Sequence, residues 1–197
     1  MELKIIASII SVIFGTISFI PYLKDIFSKK TQPHLYTWLI WTLTQGTATV
    51  ALWYGNGGLG GLNLTIGTFL ILCVCFFSIK HGTKNITIHD TIILFISILA
   101  IIIWWQLKQP VLAIILVSVI DLLGYIPTYR KSYMHPWSEN LLAWIGFSMG
   151  NIFAIAALDE YNFLTLTYLV SIVIGNTIFS FFIFIRRFYL KNDRAVV

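Results

Sequence analysis

Charge is what this chain has least of. Charged residues make up 11% of its 197 positions, against 58% hydrophobic ones, whereas a soluble domain carries about a quarter charged. A water-soluble fold of this length has nowhere to hide so much apolar surface, so that class is excluded. Cysteine is nearly missing as well. Cys73 and Cys75 are the only two, and two positions apart on a helix they point in different directions, as packing residues do, rather than converging as a disulfide or metal pair. His34, His81, His89 and His135 fall in loops or at segment ends without an HExxH spacing, so no metal is expected. No lysine lies deep in an apolar run, which removes a retinal-type Schiff base. No nucleophile–base–acid trio is legible either, so the chain does not read as an enzyme and implies no cofactor. The alternating in/out pattern of an outer-membrane barrel is also absent.

What the chain does have is long apolar runs. Seven stand out, at 5–23, 35–54, 59–79, 91–107, 111–129, 141–158 and 163–185, each of a length that spans a bilayer as a helix, roughly 17–25 residues. Only the fifth contains a formal charge. The first lacks a small-residue cleavage site and leads into Pro21 and a basic loop, so it reads as a permanent helix rather than a signal peptide. Seven crossings place Lys24, Lys29, Lys30, Lys80, Lys84, Arg130, Lys131, Arg186, Arg187, Lys191 and Arg194 on one side, and only Lys4 and Lys108 on the other. This asymmetry predicts a multi-pass protein of the cell membrane with its N-terminus outside and its C-terminus in the cytosol. The net charge of +5 then follows from topology, with anionic lipid as the partner and no nucleic acid. On this topology the sequons at Asn63 and Asn85 carry no glycan.

The chain also repeats itself. Pro21 lies seventeen residues before Trp38 and Pro127 seventeen before Trp144. The same shift sets Lys24 on Arg130, Leu35 on Leu141, Gln45 on Asn151 and Ala48 on Ala154, and a neighbouring register sets Ile66-Gly67-Thr68 on Ile174-Gly175-Asn176. Three-helix repeats point the same way only if one helix separates them. The expected fold is therefore an all-α membrane protein of seven transmembrane helices, built as two parallel three-helix repeats joined by a linker helix. Residues 1–84 form the first repeat, 85–109 the linker and 110–197 the second repeat with a basic cytosolic tail. Trp104 and Trp105 belong at the outer end of the linker, where indoles favour the headgroup boundary.

This 3+1+3 order, with Pro21-Tyr-Leu-Lys-Asp-Ile26 and Pro127-Thr-Tyr-Arg-Lys-Ser132 closing the first helix of each repeat, resembles the PQ-loop and SWEET transporter superfamily. Tyr22 and Thr128 stand where that family has its glutamine. The resemblance implies alternating access around a mid-membrane site, with polar residues of the third and seventh helices on the solute.

Counting inward from the helix ends places Gln45, Thr68, Asp121, Asn151 and Asn176 near mid-bilayer. Either they line a shared cavity, which makes Gln45, Thr68, Asn151 and Asn176 solute contacts, or they are glue between helices, worth about 0.6–2 kcal/mol each. Trp41, in the Trp38-x-x-Trp41 pair, is a candidate to stack on a solute ring. Asp121 is the sharpest clue. A carboxylate at the centre of a membrane helix costs about 2.5 kcal/mol or more, so it marks either proton coupling or a neutral acid donating one hydrogen bond. Pro21 and Pro127 leave the Ile17 and Leu123 carbonyls without a donor and are candidate hinges of an inner gate. Trp38 and Trp144 either close the cavity from below or anchor at the interface. Gly146-x-x-x-Gly150 reads as close helix packing, and the glycine run 55–61 as a tight, mobile external turn. The sequence therefore predicts a membrane transporter for a small polar solute (sugar, amino acid or vitamin-like compound), with proton coupling left open and a homo-oligomer allowed. A non-transporting receptor or assembly protein on the same scaffold is the alternative.

Overall fold

A computed structural model describes the backbone of residues 1–106 and 109–195 and, apart from 100, 103–105 and 191–195, their side chains. The rings of Trp104 and Trp105, and Lys108, Lys191 and Arg194, lie outside that set. Among the described residues seven α-helices follow one another: α1 (Glu2–Phe27), α2 (Leu35–Tyr54), α3 (Gly61–His81), α4 (Ile88–Gln106), α5 (Pro110–Met134), α6 (Leu141–Ala156) and α7 (Phe163–Ala195). Single 3₁₀ turns at Gly58–Gly60 and Pro136–Ser138 precede α3 and α6, and no strand occurs among the described residues.

These helices are amphipathic in the reverse of the aqueous sense. In α1, Ser8, Ser11, Gly15, Ser18 and Tyr22 recur every three or four residues and are buried, while Ile9, Ile13, Ile17 and Ile20 on the other face are about half exposed. The same inversion puts Phe69, Leu72 and Phe76 of α3 and Ile174, Ile178 and Phe181 of α7 outside. An apolar surface this continuous suits a membrane protein, with lipid against these faces. Four stretches are long and apolar enough to cross a membrane: Glu2–Phe27, Gly58–His81, Pro110–Met134 and Phe163–Leu190. The twenty residues of α2 fall short because Thr37, Thr42, Thr44, Gln45, Thr47 and Thr49 lower its mean hydropathy, and three of those (Thr37, Thr44 and Gln45) are almost wholly buried.

Packing is dominated by α1 on α6, α6 on α7, α2 on α3 and α5, α5 on α7, and α1 on α3; α4 lies against α5 and α2. Small residues make the α1–α6 seam. A Cβ on Gly150 would come within 2.9 Å of the Gly15 backbone nitrogen, one on Gly146 would strike the Ser18 hydroxyl, and Ser11 Oγ donates to the Gly150 carbonyl at 2.7 Å. The Gly146-x-x-x-Gly150 pair thus packs helices, as its spacing predicts.

Three expectations change. The helices run past the apolar boundaries read from sequence: α5 continues to Met134, and Lys131, expected in a solvated loop, is buried within its last turn. The tail of α7 is helical, and its first arginines are docked: Arg186 lies 3.9 Å over the Tyr133 ring and Arg187 donates to the Pro136 and Glu139 carbonyls. The glycine run is tight but held, since Asn162 Nδ2 donates to the Gly55 carbonyl at 2.9 Å and Asp159 fills the space beside Gly58, whose φ of +55° a side chain would resist.

Candidate functional site

Six helices each turn one stripe toward a common cavity. The stripes are Gly15 and Phe19 of α1, Trp38, Trp41 and Gln45 of α2, Asn63, Gly67 and Ile71 of α3 with Leu64 beside them, Asp121 and Tyr125 of α5, Trp144, Phe147 and Asn151 of α6, and Ile172 and Asn176 of α7. Within each stripe the spacing is three or four, the separation that keeps helical residues on one face. The empty space along these stripes is about 540 Å³ when open solvent is counted in; the part open to the centre of a water molecule is about 50 Å³. One water needs roughly 10–15 Å³ on the latter measure, so the space as it stands suits a few waters or a compact solute.

Glycines make the room. A Cβ on Gly15 would strike the Asn63 side-chain oxygen, one on Gly67 would sit 2.8 Å from Gln45 Nε2, one on Gly124 2.9 Å from Trp41 Nε1, and one on Gly175 3.0 Å from the Tyr125 ring. Each polar or aromatic wall residue in that set is seated on a missing side chain of the neighbouring helix.

The amides are only partly satisfied by one another. Asn63 Nδ2 donates to Asn151 Oδ1 at 3.3 Å, Asn151 Nδ2 to the Phe147 carbonyl at 2.8 Å, and Gln45 Nε2 to the Leu64 carbonyl at 3.3 Å. Tyr125 donates its phenol to Asn176 Oδ1 at 2.6 Å. Gln45 Oε1 and Asn176 Nδ2 make no hydrogen bond among the described residues and remain for whatever occupies the cavity.

Asp121 is 1% exposed. Its Oδ1 accepts from Thr44 at 2.6 Å and from Tyr168 at 2.7 Å, while Oδ2 is buried with no hydrogen-bond partner. Trp41 fixes the same turn by donating its indole N–H to the Asp121 carbonyl at 3.0 Å. Two hydroxyls, from α2 and α7, hold the acid through Oδ1.

On the side of the basic loops an aromatic layer closes the cavity. Trp38 and Trp144 are 2% exposed, with ring centroids 6.4 Å apart, and Trp41 lies 5.3 Å from the first and 5.6 Å from the second. Indoles buried at the bundle axis do not face a lipid interface. Behind them Glu139, also buried, accepts from Tyr22 and from Trp144 Nε1, each at 3.0 Å, and pairs with Lys131, whose ammonium also reaches the Gln32 carbonyl at 2.6 Å.

Of the residues singled out from sequence, Trp38, Trp41, Gln45, Asp121, Trp144, Asn151 and Asn176 line the cavity. Thr68 does not: its hydroxyl is spent on the Leu64 carbonyl at 2.7 Å and on Thr49 at 3.0 Å. Pro21 and Pro127 are off the wall, and α1 and α5 run through them as continuous helix. Sequence reasoning passed over Asn63, Tyr125 and the wall glycines. The signal was there, since Asn63 to Gly67 to Ile71 and Asp121 to Tyr125 are one-turn steps. No protein-family model, curated protein or solved structure matches the chain.

Proposed function

We propose that this protein is a carrier that moves a small polar solute across the membrane by alternating access, its helices arranged as two parallel three-helix repeats around the central cavity. The observation that carries the reading is the wall itself: amides with free valences and an unpartnered carboxylate oxygen, enclosed by helices whose outer faces suit lipid. Most buried polar groups in a packed core are paired, so a cluster of open ones around one cavity favours an occupant. The packing pattern supports the duplication, because exchanging α1 with α5, α2 with α6 and α3 with α7 turns each main contact into another: α1–α6 into α5–α2, α2–α3 into α6–α7, and α1–α3 into α5–α7. The position of α4, outside this exchange and against α5 and α2, suits a linker. The resemblance to the PQ-loop and SWEET superfamily, the outside N-terminus and the hinge role of Pro21 and Pro127 belong to the same reading. In it the aromatic layer and the Glu139–Lys131 pair form the closed inner gate.

Purified protein in liposomes should take up labelled solute from a panel of sugars, amino acids, nucleosides and small amines faster than empty liposomes. Gly67→Leu should reduce that uptake at least tenfold. The new side chain fills the cavity beside the flexible Gln45 amide, while replacing glycine inside a helix favours folding by up to about 1 kcal/mol. Binding without movement across the whole panel would favour the receptor reading instead.

A further inference from the structure

We infer that the cavity is built for a compact organic cation. The inference rests on the cavity being the solute site proposed above and names the class of solute. Among the described residues of the wall Asp121 alone carries a formal charge; no lysine, arginine or histidine joins it there. The buried cation nearest the aromatic layer, Lys131, is neutralised by Glu139. An anion entering this space would meet the Asp121 carboxylate and no cation to offset it. A neutral polyol would leave the free Asp121 oxygen without a counter-charge, which is costly for a buried carboxylate.

The aromatic wall points the same way. Phe19, Trp38, Trp41, Tyr125, Trp144 and Phe147 all border the space. Three of their polar atoms are already bound elsewhere: Trp41 Nε1 to the Asp121 carbonyl, Trp144 Nε1 to Glu139 and the Tyr125 phenol to Asn176. Beyond the Trp38 indole N–H, what these rings offer a solute is π-density, and a ring face attracts a cation within about 6 Å of its centroid. Aromatic rings around a single carboxylate give an ammonium or a quaternised ring nitrogen both of its attractions at once. Gln45 Oε1 and Asn176 Nδ2 remain to orient a hydroxyl or amide on the same molecule.

The arrangement also sets what the solute exchanges with. Thr44 faces Asp121 from α2 and Tyr168 from α7, and Tyr125 sits one turn along α5; the phenols stay neutral at about pH 5 to 8. A proton and an organic cation therefore neutralise the same oxygen and exclude each other there. Cation binding should weaken on acidification even when the cation has no titratable group.

The test is equilibrium binding to the purified full-length protein in lipid nanodiscs, read by tryptophan fluorescence and calorimetry. The probes are tetramethylammonium, choline and N-methylpyridinium, with 3,3-dimethylbutan-1-ol, the uncharged shape-mimic of choline, and glucose as neutral controls. At least one permanently charged probe should bind ten times or more tighter than either control. Its affinity should fall at least fivefold between about pH 8 and pH 5, and Asp121→Asn should remove both the affinity and the pH dependence. The pH series on the unaltered protein needs no variant, so a misfolded Asp121→Asn leaves the test intact. Binding by none of the three cations, equal binding of dimethylbutanol and choline, or a flat pH series would overturn the inference. Uptake of a neutral solute in that event would keep the carrier reading, whereas cation binding without uptake in liposomes would sink the carrier reading and leave the binding class standing.

Discussion

His34 shows how a single side chain is set by its neighbours here. It is wholly buried at the start of α2, and its Nε2 is 3.4 Å from Asp90, which Arg130 holds at 2.6 Å. That approach is too poorly aligned to count as a hydrogen bond, and both ring nitrogens lack one. Burial outweighs the attraction of Asp90, the nearby Lys131 and Arg130 charges act in the same direction as burial, and the imidazole is pushed down to about 4. The unfolded chain takes up this proton near 6.5, so between the two values acid favours unfolding. The stability owed to neutral His34 is complete above about pH 6.5 and is lost as pH falls toward 4. Thermal or chemical unfolding in detergent should lose up to about 3 kcal/mol across that window. His34→Gln should flatten the profile, and a flat profile in the unaltered protein would contradict the assignment. None of this was legible from the histidine's position. A residue next to Pro33 at a helix start looks like a surface loop until α4 and α5 cover it.

Between elements, the joint where α5 passes into α6 carries the heaviest polar load. Glu139 binds Lys131, Tyr22 and Trp144 and is held from behind by Arg187 on its carbonyl. Removing one member of a buried ion pair strands the other, at a cost of about 3–5 kcal/mol. Glu139→Leu should therefore lower the melting temperature sharply. Lys131→Met combined with it should recover much of the loss in a double-mutant cycle. Additive losses would show that the two charges do not act as a pair. At the α1–α6 seam the constraint is steric. Gly150→Leu places a side chain against the Gly15 backbone, which cannot swing aside as Gln45 can, so a loss of about 1–3 kcal/mol or more is expected, read as reduced thermal stability and reduced yield of monodisperse protein. The sequence showed that Gly146 and Gly150 would pack; that their partner is α1, five helices earlier, depends on the fold. Pro21 and Pro127 were legible as a pair, yet α1 and α5 continue through them, because a helix at membrane depth keeps its remaining hydrogen bonds wherever it can.

For the whole molecule, the arrangement of ends is the testable quantity. The basic loops and the α7 tail should lie on one side of the membrane and the loop between α6 and α7 on the other. In a chain with Cys73→Ala and Cys75→Ala, a membrane-impermeant thiol reagent applied to intact cells should label Tyr161→Cys and not Lys30→Cys. Both positions are exposed. The opposite pattern would invert the orientation proposed from the lysines and arginines.

Composition and the run of apolar segments were enough to determine an all-helical chain with lipid-facing helices and to mark Asp121 as an exception. Helix period and hydropathy are local properties, fixed by residues within a few turns of one another. Gln45, Asn151, Trp38 and Trp144 were legible as candidates because they recur at a shift of 106 residues. Which of those side chains meet was decided only by tertiary packing. The cavity exists because Gly15, Gly67, Gly124 and Gly175 bring backbones close enough for Asn63, Gln45, Trp41 and Tyr125 to turn inward. Thr68, at much the same depth, finds Thr49 and the Leu64 carbonyl and drops out. A residue's depth follows from its position in the chain, but the direction it faces and the partner it finds depend on helices far away in sequence, and those decide whether it packs between helices or lines the cavity.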